Sequence, residues 1–148
     1  MDALEFNAAS RIPHLVKPAL RVLVIDDDDC VGAAIQAILG RHQFETELTS
    51  RAHSGIHAFE ASRFDVVMVD LFLPGMTGLD TISHIRRRSA VPIVAISGFR
   101  LRSSLDHVDY LSMAMERGAT ASMRKPFTPP QLMAAINQSM PLIEETKQ

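Results

Sequence analysis

Apolar residues along the chain fall into two kinds of run. The first kind is short, continuous and β-branched: Val22-Leu23-Val24-Ile25, Val66-Val67-Met68-Val69, and Val91 to Ile96. Runs of that length and make-up predict strands buried on both faces. Ala119 to Met123 is a weaker, small-residue version, and Phe44 to Ser50 alternates apolar with polar, as a half-exposed strand near a sheet edge does. The second kind repeats every three or four residues. Val31, Ile35, Ile38 and Leu39 mark a helix over about 29–41, and Ile56 with Phe59 mark a short one capped by Ser54. Leu79, Ile82 and Ile85 mark the next, opened by Thr77 and Asp80. Val108, Leu111 and Met115 form a stripe closed by Gly118. Leu132, Ala135, Ile136 and Met140 follow Thr128 as cap, Pro129 in the first turn and Gln131 as its capping-box partner.

Strands therefore alternate with helices, five of each. Such alternation implies parallel strands joined by crossovers, hence a three-layer α/β sandwich. Residues 1–19 show no sustained period, are interrupted by Pro13 and Pro18, and read as an N-terminal arm with room for a short helix near Ala3 to Ser10. Residues 20–141 form the domain, and 142–148 a polar tail after Pro141.

Length agrees with a single domain: 148 residues suffice for one core. With 47% hydrophobic residues, 22% charged and no tryptophan, that core is aliphatic in a soluble protein. A net charge of −2 gives no general drive onto nucleic acid or an anionic membrane. One cysteine cannot form an internal disulfide, and Cys30 reads as a small buried hydrophobe. Without a signal peptide or an apolar run of membrane length, the expected location is the cytoplasm.

The chemistry lies where strands end. The first strand stops at Asp26 and Asp27, the third at Asp70 before a Pro74-Gly75 turn, the fourth at Ser97 and the fifth at Lys125. In a flavodoxin-like doubly wound sheet of order 2-1-3-4-5, these ends share one rim, where such sheets keep their ligand sites. Clustered carboxylates repel unless a cation offsets them. Hard oxygen donors without nearby cysteine or histidine select Mg²⁺, which binds through a few carboxylates and phosphate oxygens. An ionised carboxylate also needs no base to act as a nucleophile, which points to Asp70 as a phosphoryl acceptor. Lys125 adds charge for phosphate and Ser97 a hydroxyl donor.

The ordered set Val24-Ile25-Asp26-Asp27, Val69-Asp70 followed by Pro74-Gly75 and Gly78, Ile96-Ser97-Gly98 and Lys125-Pro126-Phe127 resembles the receiver domain of two-component response regulators, over about residues 20–141. The resemblance implies that Asp70 is phosphorylated by a sensor histidine kinase or phosphotransfer protein. It implies that Asp27 and Asp70 bind Mg²⁺ directly, Asp26 through water, and the Phe72 main-chain carbonyl completes the set. Ser97 and Lys125 would bind the phosphoryl group, the Lys125-Pro126 bond would be cis, and Phe72 and Phe99 would flank the phosphoryl group and lengthen its lifetime. The expected role is a single-domain response regulator acting through a downstream protein or onward phosphotransfer, with no direct nucleic-acid or membrane binding. The arm or the tail could add a homodimer contact.

This chain departs from the family pattern at Ser122, where receivers usually carry an aromatic switch residue; Tyr110 and Phe99 are the alternative rings. Ser97 to Lys125 is also longer than usual, the excess falling in Phe99 to Asp109. Two rivals remain. An aspartyl-phosphate hydrolase would need a second acid two residues after Asp70, where Phe72 stands. A receiver-like scaffold that binds partners without phosphorylation is favoured by Ser122 and opposed by the intact acids and Lys125. Asp28 and Asp29 read as helix-start acids, the histidines as surface or core residues, Arg86 to Arg88 as a solvated helix end, and Met113, Met115 and Met123 as core filler.

Overall fold

A computed structural model describes residues 18–98 and 109–141. The expected arm before residue 18, the tail after 141, and the positions of Phe99 and Val108 lie outside the described residues. Ten elements alternate along the chain: β1 (Leu20–Ile25), α1 (Asp29–Gly40), β2 (Phe44–Thr49), α2 (Ala52–Ala61), β3 (Val66–Asp70), α3 (Gly78–Arg86), β4 (Ile93–Ser97), α4 (Tyr110–Arg117), β5 (Ala121–Arg124) and α5 (Pro129–Ser139). The strands form one parallel sheet in the order β2-β1-β3-β4-β5.

Alternation of side chains across each strand divides the core in two. Leu23, Ile25, Val67, Val69, Ile93 and Ala95 face one layer, built by α2, α3 and α4. Val22, Val24, Val66, Met68, Val94, Ile96, Ala121 and Met123 face the other, built by α1 and α5. β3 and β4 are buried at every residue, as strands covered on both faces must be. At the edge, β2 is nowhere fully buried and Leu48 is 39% exposed, so only part of its expected apolar side is covered.

Side chains fix most helix starts. The Asp28 carboxylate accepts from the Cys30 and Val31 amides, Thr77 from the Asp80 amide, and Thr128 exchanges a capping box with Gln131. Several expectations need correction. Ser54 does not cap α2; Arg51 stands at that position, and the Ser54 hydroxyl, inside the helix, donates to the Arg51 carbonyl. Cys30 is exposed, because the first turn of α1 turns it away from the sheet. On α4 it is Ala114 that is buried, flanked by partly covered Tyr110, Leu111 and Met113, while Met115 is 43% exposed. Arg86 is not a solvated helix end: its guanidinium donates to the Gly118 and Ser89 carbonyls and ties the end of α3 to the end of α4. No helix among the described residues is long and apolar enough to cross a membrane.

Candidate functional site

Parallel register brings the strand ends level. Ile25 lies opposite Val69, Asp70 opposite Ile96, and Ser97 opposite Arg124, so Asp26, Asp70, Ser97 and Lys125 come together at one rim. Carboxylate oxygens of Asp26, Asp27 and Asp70 lie within 4.8 Å of one another, with Asp27 exposed and the other two buried. Lys125 Nζ sits 2.9 Å from Asp26 Oδ2 and 3.2 Å from Asp70 Oδ2, donating a hydrogen bond to the latter. One ammonium thus serves two buried carboxylates.

Local backbone holds the two buried acids. The Asp26 amide donates to the Thr49 carbonyl at 3.0 Å, and the Asp28 amide donates to Asp26 Oδ1 at 2.9 Å. The Phe72 amide donates to Asp70 Oδ1 at 3.0 Å. The Lys125 amide donates to the Ser97 carbonyl at 2.9 Å, and the Lys125-Pro126 peptide is cis. The Ser97 hydroxyl is buried and donates to the Gly98 carbonyl at 3.3 Å. Behind the site, α3 begins against the end of β3, with the Gly78 amide donating to the Leu71 carbonyl at 3.1 Å.

Charge within the pocket is unevenly compensated. Burial pushes the Asp26 carboxyl up to about 6 from 3.8, and the neighbouring Asp70 adds to the rise; Lys125 and the Asp28 amide work against it. For Lys125, burial acts to lower the pKa, but Asp26 and Asp70 outweigh it and hold the ammonium above its ordinary range. Asp26 Oδ2 is buried, and its close polar neighbour is the Lys125 ammonium, with Nζ at 2.9 Å. Three clustered carboxylates beside one ammonium make an all-oxygen donor set with excess negative charge, which fits a hard divalent ion such as Mg²⁺. Asp26, Asp27 and Asp70 are the side chains placed to hold it.

The pH dependence follows with a definite sign. A carboxyl whose pKa is raised on folding binds more protons in the folded state between about pH 3.8 and 6, so metal-free stability falls as pH rises through that window. The full loss is at most roughly 3 kcal/mol for two units. Urea melts in chelator should show wild type gaining on Asp26→Asn as pH is lowered from 7 to 4; a pH-independent gap between the two proteins would contradict this reading.

Sequence reasoning brought forward every acid that meets here. It missed Thr49, which fixes Asp26 from the neighbouring strand, and gave no reason for Gly78. Ser122 lies in β5 opposite Ala95, on the face covered by α4, and is partly buried. Tyr110 opens α4, and its ring meets Phe72 edge to face at 5.0 Å and 77°.

Known proteins share the family and the fold. Residues 22–137 match the family model described as the response regulator receiver domain. The DNA-binding response regulator MtrA of Mycolicibacterium smegmatis is 34% identical over 116 residues, covering 78% of this chain and 48% of that protein. The transcriptional regulatory protein CseB of Streptomyces avermitilis is 33% identical over 115 residues, covering 78% and 46%. The chain spans about half the length of these curated relatives. Among solved structures, a response regulator receiver domain protein from Clostridium thermocellum matches with a TM-score of 0.71 and 27% identity, over 86% of this chain and 97% of that one. A CheY-like receiver from Methanospirillum hungatei shares the fold, with a TM-score of 0.72 at 24% identity, over 87% and 98%. With residues 22–137 matching that family model and the parallel sheet in the order β2-β1-β3-β4-β5, the chain belongs to the receiver domain family of two-component response regulators.

Proposed function

We propose that residues 20–141 act as one receiver unit in which Asp70 accepts a phosphoryl group from a phosphohistidine on a sensor histidine kinase or phosphotransfer protein. A carboxylate oxygen of Asp70 forms the new bond to phosphorus, the P–N bond breaks, and its electron pair returns to the donor imidazole. Bound Mg²⁺, held by Asp26, Asp27, Asp70 and the Phe72 main-chain carbonyl, would neutralise charge on the phosphoryl oxygens. Lys125 and Ser97 supply an ammonium and a hydroxyl to the same oxygens, which requires the Ser97 donor to leave the Gly98 carbonyl. The observation that supports this reading best is one lysine shared between two buried acids beside a third, exposed one.

Phosphorylation adds about −1.5 to −2 charge next to Lys125 and Ser97, enough to bias the segment after β4 and the helix that follows toward a different partner surface. Incubation with acetyl phosphate should add one phosphoryl group by intact mass when Mg²⁺ is present and none with chelator; no gain under either condition would overturn the proposal. Ser122 favours a second reading, a scaffold that binds partners without phosphorylation, and that outcome would support it.

Phe72 also bears on lifetime. A bulky apolar side chain two residues past the acceptor hinders an in-line water. Phe72→Asn should therefore shorten the life of phosphorylated protein, followed as loss of the mass increment after acetyl phosphate is removed; equal or slower decay would contradict it.

A further inference from the structure

Among the described residues, one ring pair bridges the pocket and the helical layer that Ser122 faces. Phe72 is tied to the acceptor through its amide on Asp70 Oδ1, and its ring packs edge to face on Tyr110. Tyr110 is the first residue of α4, whose Asp109 cap accepts from the Ser112 amide and whose Ala114 is fully buried. α4 lies against α3, β4 and β5, and Ser97, Ala95 and Ile93 alternate onto the sheet face it covers. Position 122 faces this layer too, but a hydroxymethyl group is too short to link it to the pocket.

We propose that Tyr110 is a positioning residue that holds the Phe72 ring beside Asp70, so that the ring pair both slows hydrolysis of the phosphorylated acid and carries its state to α4 in place of a ring at position 122. The proposal rests on Asp70 being the phosphoacceptor. In hydrolysis, water forms a bond to phosphorus as the P–O bond to Asp70 breaks; the electron pair stays on the carboxylate, and the proton leaves with inorganic phosphate or solvent. A ring pinned beside that line of approach excludes the water. An edge-to-face pair contributes about 0.5–1.5 kcal/mol, so releasing Phe72 from it is expected to speed decay roughly two- to tenfold.

Tyr110 is the sole tyrosine and the chain has no tryptophan, so intrinsic emission reports this residue alone. The full chain is loaded with acetyl phosphate and Mg²⁺; loading and decay are followed for wild type, Tyr110→Phe, Tyr110→Ala, Phe72→Ala and the double alanine variant, and tyrosine emission for wild type and Asp70→Asn. We expect Tyr110→Ala to decay faster than wild type, Tyr110→Phe to keep the wild-type lifetime, and Tyr110→Ala to add nothing once Phe72 is alanine. Emission should change on phosphorylation of wild type and stay constant for Asp70→Asn. If Tyr110→Ala fails to fold, Tyr110→Leu keeps apolar bulk without an aromatic edge and reads the same contrast. Wild-type decay in the ringless variant, or full additivity with Phe72→Ala, overturns the inference while leaving the phosphoacceptor intact. Failure of wild type to load overturns both.

Discussion

Asp70→Asn is expected to lose at least about a hundredfold of phosphoryl incorporation from acetyl phosphate, because a neutral amide is a poor nucleophile where an ionised carboxylate needs no activation. The same substitution should make the metal-free protein more stable. Asp26 and Asp70 are both 4% exposed and share Lys125, so the native pocket holds an excess of buried negative charge. Removing one carboxylate leaves a single buried acid opposite a single ammonium, and asparagine Oδ1 can still accept from the Phe72 amide. Relief of one like-charge contact at this burial corresponds to roughly 1–2 kcal/mol, a rise in melting temperature of a few degrees. Added Mg²⁺ should narrow the difference by binding wild type more tightly. Intact mass and thermal melts in chelator test the pair of effects. Loading at the wild-type rate would move the acceptor to another residue, and a lower melting point would mean that the acids are better compensated than their distances indicate.

The largest purely structural effect is expected at Gly78. A Cβ built there would strike the Asp70 carbonyl oxygen and lie 2.5 Å from Leu71 Cα and 2.8 Å from the Asp70 carbonyl carbon. All three atoms are backbone, so no rotamer change relieves the clash, and the start of α3 must move away from the end of β3. Forcing such a shift costs about 3 kcal/mol. Since the displaced backbone carries Asp70 and Phe72, Gly78→Ala should lower phosphoryl loading as well as the urea midpoint. Gly75→Ala is the matching control. It lies three residues earlier at φ +78°, and a methyl group added there would meet nothing within 4 Å, so only the left-handed backbone is penalised, by about 1 kcal/mol. Equal stability of Gly78→Ala and wild type would show that α3 is free to shift and does not brace the site.

Local rules went a long way because the signals here are strong. Continuous β-branched runs ending in charged or hydroxyl residues read as strands that emerge at a rim, and alternation with helical stripes leaves few topologies. Where the reading failed, coverage by a neighbour was the missing information. A helical repeat tells which residues share a face, but Met115 is exposed and Ala114 buried because α3 and the sheet reach only one side of α4. Arg86 looked solvated because its partner, the Gly118 carbonyl, lies 32 residues ahead. Ser54 looked like a cap because it is a capping residue type just before Ile56 and Phe59, yet α2 had already begun at Ala52.

From residue order alone came the element types and the identity of the acids, hydroxyl and lysine at the strand ends, since each follows from periodicity and from the residues at which a run stops; the sheet order came with the doubly wound fold class that the alternation implied. Only the folded arrangement decided that Lys125 is shared between two buried carboxylates, that Gly78 must lack a side chain and that Tyr110 reaches Phe72. Those facts depend on distances between segments far apart in the chain, and no local pattern encodes how closely two such segments approach.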